Sequence, residues 1–261
     1  MDNWTLITGA SEGLGVEFAK IAAQEGRKLI LTARSADKLN ALAEELRAKG
    51  AEVEVIPADL NALEEAERLW ATATAGRQID MLVNNAGLGR NGAFAEEDGG
   101  GWERELSSIN VNITSLTRLM KLAIPHMKDA GTTGHILNVA STAGFLPGPN
   151  MAVYHATKAF VLHLSEAVAF ELRGSTVKIS ALCPGATETS FFDAADMREM
   201  RLLKFGAPAS ADQVALAGWQ AALNGRKVYV PGVMNKVFAF LPRLTPRAMV
   251  VRLANIFLAK T

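Results

Sequence analysis

Cysteine is nearly absent from this chain. Cys183 stands alone among 261 residues, so no intramolecular disulfide can form. The four histidines, His126, His135, His155 and His163, show no grouping with carboxylates or cysteine at ligand spacing, which leaves a metal mechanism without support. No apolar run reaches the roughly 18 unbroken residues that a bilayer span requires. The opening residues, M-D-N-W-T-L-I-T-G, contain neither a basic segment nor the apolar stretch of a secretory signal, so a reducing, cytoplasmic location is expected. Twenty-seven Lys and Arg balance twenty-seven Asp and Glu, and nothing in that balance favours a nucleic-acid partner. Repeats, low-complexity runs and linkers rich in Pro, Gly or Ser are also missing, so residues 1–261 read as one domain.

Another absence is local. No acidic residue follows Asp212, whereas Arg226, Lys227, Lys236, Arg243, Arg247, Arg252 and Lys260 do. The stretch 233–261 is apolar but broken by Pro242, Pro246 and arginines. It is expected to dock on its own domain or on a second subunit. The alternative is an amphipathic element in peripheral contact with an anionic membrane, or one that covers a long acyl substrate.

What is present is a regular alternation. Short β-rich runs at 4–8, 28–32, 53–56, 80–84, 135–139, 177–182 and 227–230 are separated by helical patterns near 14–25, 36–49, 61–75, 103–130, 151–173 and 211–223. That order predicts βαβ units: an α/β fold with a parallel sheet of about seven strands and helices on both faces. Several strands are almost wholly apolar, as expected where both sheet faces are covered. Residues 92–102, with three adjacent glycines, read as a surface loop.

The first strand runs directly into T-G-A-S-E-G-L-G, Thr8 to Gly15, and a helix pattern follows. Glycines 9, 13 and 15 permit a tight turn and close approach of a pyrophosphate, which would meet free N–H groups and the positive end of the helix dipole. The second strand ends in A-R-S. Ala33 occupies the position where an acid would hold a ribose 2′-OH, and Arg34 follows it, a fork suited to a 2′-phosphate. NADP(H) is therefore expected over NAD(H), although Glu12 rather than a basic residue sits in the glycine turn.

The G-x-x-x-G-x-G spacing resembles that of the short-chain dehydrogenase/reductase family, whose fold is a single Rossmann-type doubly wound sheet, and further motifs extend the resemblance to about residue 190. N-N-A-G, Asn84 to Gly87, follows the fourth strand; Asp59 and Leu60 lie in P-A-D-L after the third. The resemblance places Asp59 against adenine, with helix N-capping as its other role, and sets Asn85, Ala86 and Gly87 beside the cofactor. Its catalytic tetrad falls on Asn110 in S-I-N-V-N, Ser141 after the fifth strand, and Tyr154 and Lys158 in Y-H-A-T-K. The turn residues Gly9, Ser11, Glu12, Gly13, Leu14 and Gly15, with Pro184, Gly185, Thr187 and Thr189 from C-P-G-A-T-E-T, complete the implied cofactor set.

Chemistry explains the choice of residues. Reduction of a carbonyl creates an alkoxide that needs a proton as it forms, and a tyrosine can give that proton or take it back. Tyr154 and Lys158 are four apart and share a helix face, where an ammonium is expected to favour the phenolate. The resemblance gives Ser141 the substrate oxygen, Lys158 the nicotinamide ribose and Asn110 a proton-relaying water chain. Residues 190–205 would form the substrate lid, with Phe191, Phe192, Met197, Met200, Leu202 and Leu203 as an apolar cover, and 145–151 would face it. A small hydrophobic ketone or secondary alcohol is the expected substrate and a homodimer or homotetramer the expected assembly. The alternatives are a long-chain 3-oxoacyl or lipid-like substrate, or a silent NADP(H)-binding sensor.

Overall fold

Where short apolar runs are covered on both faces the chain extends, and where apolar residues recur at three and four it coils. A computed structural model describes residues 3–96, 101–189, 195 and 208–258. Its strands are β1 (Asn3–Thr8), β2 (Lys28–Thr32), β3 (Val53–Val55), β4 (Gln78–Asn84), β5 (Gly134–Val139), β6 (Val177–Leu182) and β7 (Val228–Tyr229). All pair in parallel in one sheet ordered β3-β2-β1-β4-β5-β6-β7, so the strand count and the doubly wound fold expected from the sequence are found.

Side chains leave each strand alternately and feed two cores. Leu6, Ile30 and Leu82 point to one face, where they meet α3 (Leu63–Ala73), α5 (Leu116–Asp129) and α6 (Ala152–Glu171). Ile7, Leu31 and Val83 point to the other, against α1 (Gly13–Gln24), α2 (Ala36–Ala48) and α7 (Ala211–Leu223). The strand order reverses between β1 and β4, and the crevice beyond the carboxyl ends of those strands is where ligands settle in such sheets.

One departure from the sequence expectation and one addition to it bear on function. The helix expected over 103–130 is α4 (Gly101–Ile109), a π-helical segment (Asn110–Ser115) and then α5. The wide turn falls on N-V-N-I-T-S, six residues that all disfavour a regular helix. The addition is the C-terminal stretch, which forms α8 (Val233–Phe240), a short 3-10 turn (Leu241–Arg243) and α9 (Arg247–Leu258). Ala254 and Leu258 of α9 are buried with Met151, and Tyr154 packs against that cluster.

Candidate active site

One crevice, a cavity of about 1090 Å³, runs from the glycine turn across the carboxyl ends of β1, β4, β5 and β6 to the inner faces of α8 and α9. Its nucleotide end is built from the first βα turn. Gly9 has φ +65°, and a Cβ there would lie 2.8 Å from the Cα of Ala86, so only glycine closes this turn. The N-cap of α1, Glu12, makes no side-chain capping bond, which leaves the first N–H groups of the helix directed at the crevice. Gly15 does not line the cavity. It sits behind the turn, where a Cβ would fall 2.1 Å from the carbonyl oxygen of Gly9, so its role is close packing of helix on turn.

The N-N-A-G quartet locks this turn from beneath. Thr8 Oγ1 accepts the N–H groups of Asn85 and Ala86, each at 3.0 Å. Asn85 Nδ2 donates in return to the carbonyls of Thr8 (2.9 Å) and Gly9 (3.1 Å). Ser11, Gly13, Leu14, Arg34, Asp59, Leu60, Ala86, Gly87, Pro184, Gly185, Thr187 and Thr189 all line the same crevice, as the motifs imply. Asp59 does not cap α3, whose N-cap is Ala62; its carboxylate accepts the N–H of Asn61 at 3.1 Å and stays at the cavity wall. A rigid glycine cradle, free helix N–H groups and a polar rim fit a nicotinamide dinucleotide.

Proton chemistry is gathered at the other end. Ser141 follows β5 and caps a 3-10 turn, its Oγ accepting the N–H of Ala143 at 3.1 Å and donating to the carbonyl of Pro184 at 3.4 Å. The same hydroxyl hydrogen-bonds Tyr154, one turn into the crevice from α6. Burial pushes the Tyr154 phenol up to about 12, and the bond from Ser141 offsets only part of that rise. Lys158 lies beside it, with Nζ 5.8 Å from the ring centre and donating to the carbonyl of Val139 at 2.8 Å. Its own burial lowers it to about 8.

With its value raised to about 12 by burial, the phenol keeps its proton at neutral pH. That is the state a proton donor needs.

Asn110 requires a correction. Its Nδ2 donates to Asn61 Oδ1 at 3.2 Å beside a separate small cavity, away from Tyr154. Asn112 points inward instead, because residues two apart on a helix face nearly opposite ways. Its Oδ1 accepts the N–H of Leu88 at 2.9 Å, and its Nδ2 donates to the carbonyl of Leu88 (2.8 Å) and to Thr157 Oγ1 (2.9 Å). A Cβ placed on Gly87 would lie 3.3 Å from Lys158 Nζ and 3.4 Å from Asn112 Oδ1, so lysine and asparagine converge on one point. The signal was in the sequence. Ser108, Asn112, Ser115 and Leu119 follow at helical spacing and are all buried, and that row passes through the second asparagine of S-I-N-V-N, not the first.

Apolar groups wall the space in front of Tyr154. Leu146 and Met151 face Phe238, Leu253 and Phe257 of the C-terminal helices across the cavity. His155 is buried and holds the near wall, its Nδ1 2.9 Å from the carbonyl of Leu146. The lid residues named above, Phe191 to Leu203, lie outside the described residues. No group of three or more metal-ligating side chains occurs among the described residues.

A seven-stranded parallel sheet, a phosphate-binding turn at its switch point and a Ser-Tyr-Lys cluster facing an apolar space together narrow the comparison with known proteins. A very-long-chain 3-oxoacyl-CoA reductase of Anas platyrhynchos is 30% identical over 248 residues, covering 93% of this chain and 77% of its own. A short-chain dehydrogenase of Sphingobium yanoikuyae, solved with NADPH, superposes with a TM-score of 0.81 at 32% identity and covers 91% of this chain and 90% of that one. A short-chain dehydrogenase/reductase of Burkholderia phymatum, solved with NAD, gives 0.83 at 27% identity, with 93% of each chain covered. The family model described as short chain dehydrogenase matches residues 3–199. This chain belongs to the short-chain dehydrogenase family, and it is a nicotinamide-dependent oxidoreductase acting on carbonyl or alcohol groups.

Proposed function

We propose that the protein is an NADP(H)-dependent reductase of hydrophobic ketones, also able to oxidise the matching secondary alcohols. The observation that carries this reading is a protonated, Ser141-bonded Tyr154 facing an apolar wall. The bound nicotinamide supplies or accepts the hydride. Ser141 holds the substrate oxygen, Tyr154 donates its proton as the alkoxide forms, and Lys158, charged below about pH 8, stabilises the tyrosinate left behind. The apolar wall selects a substrate without charge near its carbonyl.

Three residues support NADP(H). Arg34 reaches the cavity from the end of β2 with no ion pair among the described residues, and Ala33 presents no carboxylate. Glu12, the acid in the glycine turn, is ion-paired with Lys38 of α2, so its charge is balanced beside the expected 2′-phosphate. Arg34→Ala should raise the Kd for NADPH by about 10- to 100-fold and leave NADH within about twofold, the loss of one charge-assisted fork. Fluorescence titration with both nucleotides measures this; equal losses would remove the phosphate assignment. Turnover of a panel spanning steroids, acyl thioesters and small ketones then ranks the substrates, and a long acyl chain is the second reading, favoured by the cavity's extension along α8 and α9.

A further inference from the structure

The two C-terminal helices carry apolar residues on both sides. On the inner side Ala239, Ala254 and Leu258 are buried and Phe238 and Leu253 line the cavity. On the outer side, Val237 and Phe240 of α8 are three apart and Leu244 follows four residues on, just beyond the 3-10 turn, and on α9 Met249 and Ile256 are two turns apart. None of these five lines the cavity, and they are 49–71% exposed. A solvated helix face is normally polar, and a contiguous apolar face on the surface marks an interaction site.

The charges on that face are of one sign. Lys236, Arg243 and Arg252 are exposed beside these apolar residues, and no acidic residue follows Asp212. Arg243 lies over the ring of Phe240 at 6.0 Å, so cation and hydrocarbon share one patch. A second copy of this chain fits the patch poorly. A two-fold contact would bring the same three cations against each other with no carboxylate on the patch to pair them. An anionic lipid surface fits both features, with phosphate oxygens for the cations and acyl chains beneath for the apolar side chains. No helix among the described residues is long and apolar enough to cross a membrane, so contact is in the plane of the interface.

We infer that the outer face of α8 and α9 docks on an anionic membrane surface and sets the mouth of the active-site cavity against the lipid. The delivery of substrate from that lipid rests on the ketone-reductase reading above; the docking itself does not.

The test is co-sedimentation of the full chain with vesicles of phosphatidylcholine alone or mixed with phosphatidylglycerol. Binding to the mixed vesicles only, weakened by salt, is expected. Arg243→Glu with Arg252→Glu should lower that affinity by roughly 30-fold or more, and Val237→Asp with Phe240→Asp should lower it independently. Melting temperature and NADPH-linked turnover of a soluble ketone should hold in both variants. No binding to the mixed vesicles, unaltered binding in both variants, or a change of mass by light scattering that marks the face as a self-contact would each overturn the proposal. Lipid binding without turnover of any carbonyl would leave the docking standing and overturn the reductase reading.

Discussion

Asn112 shows how narrowly a site can be specified. Two asparagines stand two positions apart, and only one faces the lysine. It satisfies both hydrogen-bonding atoms on Leu88 and Thr157, so replacing it strands buried partners at the cofactor wall. Asn112→Ala should cut kcat by about 10- to 100-fold through lost positioning of Lys158, while Asn110→Ala should stay within about twofold. Steady-state kinetics of the pair decides which asparagine belongs to the site. Lys158 offers a different test. Its folded value of about 8 lies below the ordinary 10.5, so between those pH values the unfolded chain binds more protons, and stability rises with pH. Below pH 8 the fold carries the cost of a buried ammonium. Lys158→Met should remove that slope and raise the melting temperature at pH 7, by a stability gain on the order of 1–3 kcal/mol, while abolishing turnover. A melting curve series from pH 7 to about 10.5 would reveal a slope that survives the substitution, and with it a different titrating group.

At the scale of elements, the glycine turn and the π segment show what a sequence does and does not disclose. The strands were legible because both sheet faces are covered, so each reads as an apolar run, and the expected spans fall within two residues of those found. The turn was legible because Gly9 answers a backbone demand that no other residue meets. Gly9→Val should cost about 1–3 kcal/mol of stability and displace the Asn85 contacts, so added NADPH should no longer shift the melting temperature. A normal nucleotide-induced shift in that variant would show that the turn tolerates a side chain. The π segment was not legible, since residues that disfavour a helix more often mark an end than a widened turn within one. The phenol's high value was equally hidden. The i, i+4 spacing of Tyr154 and Lys158 reveals their proximity, but burial comes from packing that includes α9, a hundred residues further along the chain.

Across the whole molecule, tasks are distributed along the chain. Residues up to Thr189 supply the glycine turn and the Ser141, Tyr154 and Lys158 side chains to the cavity. The family match ends at residue 199, whereas Phe238, Leu253 and Phe257, which face Tyr154's cavity, come after it. The balanced total of charge conceals a basic stretch after Asp212, where seven Lys and Arg meet no Asp or Glu.

The packing of α9 against Tyr154 has an evolutionary consequence. Because Ser141, Tyr154 and Lys158 all precede β7 while one side of the apolar wall follows it, the terminal helices can be exchanged as a cassette. A relative's helices grafted after β7 would retune what is reduced while the machinery of reduction is inherited unchanged.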